Sequence, residues 1–76
     1  HGKNNEQFLL GCLLRHVATG NQVEAQKILK KYPELLLKKG FVKDFSGRQF
    51  RDITPFELAL WAMDSRMIDM MLQCVS

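Results

Sequence analysis

A chain of 76 residues with 46% apolar side chains, 25% charged side chains and a formal charge of +3 has the composition of one small folded domain. Its apolar runs, such as Leu58 to Met63, fall far short of the roughly 20 residues that a membrane-spanning helix needs, and its polar opening is not that of a signal peptide. A domain of this size buries about 60% of its unfolded surface, which leaves little room for an elaborate enclosed active site.

His1–Gly2 reads as the remainder of a tag, and residues 3–76 as a single domain. With no initiating Met, and with helical patterning still running at Met70 to Val75, the chain is expected to be a piece of a longer protein. Cys12 and Cys74 are too few for a disulfide scaffold and both fall in apolar helical stretches, which suits a reducing compartment.

The first helix is expected from a cap at Asn4 or Asn5. It runs through Phe8, Leu9, Cys12, Leu13, His16 and Val17 at i, i+4 spacing, with Leu10 and Leu14 widening the stripe. Gly20 suits the left-handed residue that ends it. Asn21 and Glu24 have capping-box spacing and open a second helix. Its apolar face is Val23, Ala25, Ile28 and Leu29, and Lys27, Lys30 and Lys31 lie opposite. Pro33 disfavours helix at Tyr32, and Leu35-Leu36-Leu37 after it reads as a turn of helix.

Phe41 to Phe45 and Arg48 to Arg51 flank Ser46-Gly47, and Gly47 can take positive φ, so a hairpin insert is expected over 38–52. Thr54-Pro55-Phe56-Glu57 is the strongest helix start in the chain: Thr54 caps, Pro55 takes the first helical position, and Glu57 closes the box. That helix, Leu58 to Met63, is apolar nearly all round. Asp64 caps a fourth, on which Arg66, Asp69 and Gln73 form a narrow polar stripe. The fold expected from these signals is all-α, with antiparallel helix pairs over 5–31 and 55–75 joined by a short β-hairpin or an extended loop.

The offset from Leu29 to Leu72 is 43 residues, against 33 for an ankyrin unit. Even so, Thr54-Pro55-Phe56-Glu57-Leu58-Ala59 resembles the ankyrin motif T-P-L-H-x-A, and the register continues to Met70-Met71-Leu72. Ala18, Gly20, Asn21, Glu24, Ile28 and Leu29 fit a degenerate unit. Glu57 stands where the family has histidine, Met63-Asp64 where it has Gly-His, and the linking hairpin is long. Asp44 to Arg48, Ile53-Thr54 and Trp61 to Asp64 are also similar to a segment found in effector proteins of intracellular bacteria. That resemblance implies delivery into a host cell, with its reducing cytosol as the expected location, rather than any particular activity; the partner expected for the domain is a host protein.

Catalysis is not expected. His16 is the one histidine besides the tag-like His1, and Cys12, one turn before it on an apolar helix face, is expected to pack in the core rather than to react. Glu24, Glu57 and Asp64 are accounted for as capping residues. Asp44 and Asp52 are expected to pair with Arg48 or Arg51. There is no phosphate-loop motif, and no metal or cofactor is expected.

The segment 27–51 holds eight Lys and Arg against two acids, and here Lys43, Arg48 and Arg51 alternate with Phe41, Phe45 and Phe50. The residues expected to bind a partner or ligand are therefore Lys43, Phe45, Arg48, Arg51 and Trp61. The reading is a non-catalytic protein-interaction module. The alternatives are a nucleotide or other phosphate ligand on the basic hairpin and an aromatic face, or a structural spacer. The apolar helices over 55–75 suit self-association or packing on neighbouring repeats.

Overall fold

The computed structural model describes residues 2–43 and 47–75, with side chains from residue 5 onward. Helix α1 spans Gly2–Ala18 and α2 Gln22–Lys31, followed by a 3-10 turn at Pro33–Leu37. Strands β1, Gly40–Lys43, and β2, Gln49–Ile53, precede α3, Pro55–Trp61, and α4, Ser65–Val75. The all-α expectation is overturned: β1 and β2 form a two-stranded antiparallel sheet, and the fold is mixed α/β, though mostly helical. The sheet is part of the packed body: β1 lies against α1, and Val42 is buried in the common core. Two strands alone are marginal in water, and this packing is what holds them.

Helix α1 is under way from Gly2, so the asparagines at 4 and 5 lie inside it rather than capping it. Its buried stripe is Leu10, Leu13, Leu14 and Val17. Phe8, Cys12 and His16, expected on the core face, are turned outward: Phe8 is exposed, and Cys12 and His16 are half-buried. The rotation follows from what packs on the helix, since α1 meets α2, α3 and β1 together. Gly40 of β1 sits so close to it that a Cβ there would stand 2.8 Å from Leu14 Cδ1.

Both helix pairs turn through one device. At the end of α1, Gly20 takes φ +74; its N–H donates to Val17 O at 3.2 Å, and the Asn21 N–H donates to His16 O at 2.8 Å. These two bonds are a Schellman ending. At the end of α3, Met63 takes φ +56, its N–H donates to Leu60 O at 3.0 Å, and the Asp64 N–H donates to Ala59 O at 3.1 Å. The residue that closes each ending then caps the next helix. The Asn21 side chain accepts from the Glu24 N–H at 3.4 Å, and Asp64 Oδ1 accepts from the Met67 N–H at 3.2 Å. Because the Asn21 N–H is already spent on α1, Glu24 does not complete a box and pairs with Lys27 at 3.0 Å instead.

The reciprocal box does form at α3. Thr54 Oγ1 accepts from the Glu57 N–H at 3.0 Å, and the Thr54 N–H donates to Glu57 Oε1 at 2.9 Å. In the sheet, Lys43 pairs with Gln49, Val42 with Phe50, and Gly40 with Ile53. Phe41 therefore faces two residues, Arg51 and Asp52, in a bulge where Asp52 takes φ +52. Asp is among the few non-glycine residues that enter this region at modest cost. The core gathers Leu13, Leu14, Leu29, Leu35, Leu58, Met67 and Met71 from α1, α2, the 3-10 turn, α3 and α4. No helix among the described residues is long and apolar enough to cross a membrane.

Met63 carries a left-handed backbone with a side chain that is 86% exposed, so its Cβ costs energy and its burial returns almost none. Met63→Gly is expected to stabilise the domain by about 1 kcal/mol. That corresponds to a rise of roughly 4–8 °C in the thermal midpoint.

The Thr54 main-chain N–H, then the Thr54 side chain and the Lys39 charge, hold the Glu57 carboxyl below its ordinary value of 4.5. A depressed carboxyl contributes stability above its unfolded-state pKa and loses it as pH falls through the folded one. Glu57→Gln should therefore be less stable than wild type at neutral pH, and the gap should close as pH falls below 4.5 in parallel denaturant melts.

Candidate functional site

The turn chemistry and the pleat of the hairpin together decide where its cations go. Successive strand side chains point to opposite faces. Val42 and its partner Phe50 therefore face the helices, while Lys43, its partner Gln49, and Arg51 lie on the outer face. Phe50 is half-buried and reaches α3, where its ring meets Trp61 edge-on with centroids 4.9 Å apart and planes at 72°. The Arg48 guanidinium carbon stands 4.7 Å from the Trp61 ring centroid. Cation, indole and phenyl thus meet in one cluster on the hairpin and the last residue of α3, with Trp61 still 52% exposed. Next to Trp61 in the chain, Leu60 is exposed, and Met63 beyond it projects into solvent.

The residues expected to act together are divided between two places. Arg48 and Trp61 meet in the cluster, which Phe50 completes. Lys43 lies apart from them, on the rim of a groove between β1 and α1. Arg51 is exposed on β2 beside the bulge, and Phe45 lies outside the described residues, as does Asp44. Asp52, expected in an ion pair with Arg48 or Arg51, instead supplies the left-handed backbone of the bulge.

The groove has a volume of about 500 Å³. Its α1 wall carries Phe8, Cys12, Arg15 and His16, and its β1 wall carries Phe41 and Lys43. Nothing in the sequence marked this groove, because its walls are some 25 residues apart in the chain.

Cys12 and His16 share a helix face at i, i+4, and both border the groove half-buried. Among the described residues no three His, Cys, Asp or Glu side chains gather where they would hold a metal ion. Cys12 and Cys74 are free thiols, and Cys74 Sγ lies 3.7 Å from Met70 Sδ.

No protein-family model and no solved structure matches the chain. It is similar to an uncharacterized protein of Coxiella burnetii, strain RSA 493 / Nine Mile phase I, with 39% identity over 71 residues. The matched region is 92% of this chain and 20% of that protein, so the chain spans about a fifth of the relative's length.

Trp61 is the single tryptophan, so tryptophan emission, excited at the red edge where Tyr32 does not absorb, reports on the cluster alone. Arg48→Ala should change the emission of Trp61, and a double-mutant cycle with Trp61→Ala in denaturant melts should give a coupling of about 0.5–1 kcal/mol, since the cation lies at an exposed ring.

Proposed function

We propose that the domain is a non-catalytic protein-interaction module, and that the Arg48–Trp61–Phe50 cluster is its principal contact. The observation that carries the reading is the half-exposed indole in contact with both the Arg48 guanidinium and the Phe50 ring, with exposed Leu60 and Met63 close by in the chain. Trp and Arg dominate the energetics of protein interfaces, and Phe and Met are enriched in them. An indole already fixed by its neighbours loses little conformational freedom when a partner covers it. A nucleotide is the weaker reading at this place, because Arg48 already stands over the ring on which a base would stack.

The two helix pairs are ankyrin-like units in this reading. Support comes from the paired Schellman endings and caps at 20–21 and 63–64, and from the Thr54–Glu57 box at the motif position. Exposed Leu72 and Val75 on α4 suit a neighbouring unit of a longer array. The domain is then one part of a larger bacterial effector that meets a host protein in the reducing host cytosol. The resemblance of 44–64 to effector segments supports this setting, as does a match that covers only a fifth of a longer bacterial protein. The free thiols of Cys12 and Cys74 are compatible with that compartment.

The test compares capture of host-cell proteins by the wild type, Arg48→Glu and Trp61→Ala, alongside thermal melts with ATP, ADP and a cyclic nucleotide. A band retained by the wild type should be lost with both variants, and the nucleotides should leave the melt unchanged. Capture indifferent to both substitutions, or a nucleotide that raises the midpoint by several degrees, overturns the reading.

A further inference from the structure

Among the described residues strand β1 is paired on one side only: β2 is its neighbour in a two-stranded sheet, and no described strand lies along the other edge. The α1–β1 groove runs along that second edge. Three consecutive residues of β1, Phe41, Val42 and Lys43, border it. Consecutive side chains of a strand point to opposite faces, so a surface touched by three in a row is the strand's edge and not one of its faces. An edge presents main-chain N–H and C=O groups that a further strand can pair with. Helix α1 forms the opposite wall, at the distance set by the close seat of Gly40 on Leu10 and Leu14.

The side chains around this edge define what would fit. Phe8 from α1 is 71% exposed and Phe41 from β1 is 53% exposed, one on each wall. Arg15 and Lys43 bring positive charge to the same groove, and among the described residues none that borders it is acidic. Among the described residues the ion pairs join Lys27 to Glu24 and Lys38 to Glu6, and neither Arg15 nor Lys43 is matched by a carboxylate. We propose that the groove takes an extended acidic peptide of a partner protein as a third strand on β1. Its main chain would pair with the free edge, its carboxylates would face Arg15 and Lys43, and its apolar side chains would rest between Phe8 and Phe41. Main-chain pairing supplies attraction and the flanking side chains supply selectivity, as in other strand-addition interfaces. The four residues of β1 span roughly 13 Å, which suits a segment of four to five residues. This surface is separate from the Arg48–Trp61 cluster and stands whether or not that cluster binds a protein.

The probe is a synthetic hexapeptide alternating glutamate with isoleucine, titrated into the 15N-labelled chain. Two controls accompany it: the same peptide N-methylated at alternate residues, and a version with lysine in place of glutamate. Amide shifts are expected at residues 40–43 and along residues 8–16, with slowed hydrogen exchange at the β1 edge. N-methylation and the lysine version should each abolish them. Arg15→Glu and Lys43→Glu change exposed side chains, so the fold survives, and each should weaken the acidic peptide about five-fold, the scale of an exposed ion pair. Trp61→Ala should leave this binding unchanged. Absence of shifts at 40–43, or equal binding of the N-methylated peptide, overturns the proposal. So does a concentration-dependent shift of the same amides without peptide, together with a doubled solution mass, because the edge would then be covered by a second copy.

Discussion

Helix α1 is the surface on which the domain is assembled. Its stripe of Leu10, Leu13, Leu14 and Val17 receives α2, α3 and β1, and Leu13 and Leu14 keep no contact with water. Burying each such leucine is worth about 1.5–3 kcal/mol, a large share of the stability a small domain retains. The other helices are too short to persist alone, with ten residues in α2, seven in α3 and eleven in α4. Their order depends on closing around this helix.

The turns make that closure possible without waste. Each Schellman ending satisfies carbonyls of one helix with the same residue that caps the next, so two helix ends are resolved within two positions. A tight reversal of this kind leaves successive helices antiparallel and adjacent, in position to share one core. Glycine supplies the left-handed residue at the first turn without strain. Met63 supplies it at the second at a cost, with its side chain facing water.

The same core decides what the hairpin displays. Val42 and Phe50 are committed inward, and the alternation of the strands then sends Lys43 and Arg51 to the opposite face. Arg48, outside β2, stands over Trp61. A basic and aromatic segment that is continuous in the chain thus becomes two separate surfaces. One is the Arg48–Trp61–Phe50 cluster at the end of α3. The other is the groove between the free edge of β1 and the outward face of α1.

Local chemistry was legible from the residues alone wherever a bond or a backbone angle joins near neighbours. Thr54 with Glu57, Asn21 with the Glu24 N–H, Gly20 at positive φ and Pro33 ahead of a short turn all follow from side chains within a few positions of one another. What lay beyond reach was set by contacts distant along the chain. Seating β1 on α1 through Gly40 made the sheet part of the core, against the all-α expectation, and turned Phe8, Cys12 and His16 outward. The separation of Lys43 from Arg48, and the pairing of Arg48 with Trp61 thirteen positions away, arose in the same way. Periodicity marks an apolar face on a helix or strand, but only the packed partner determines which side of a broad stripe is covered. Caps, turns and most of the elements therefore follow from near neighbours in the chain, whereas which residues share a surface follows from the packing of distant ones.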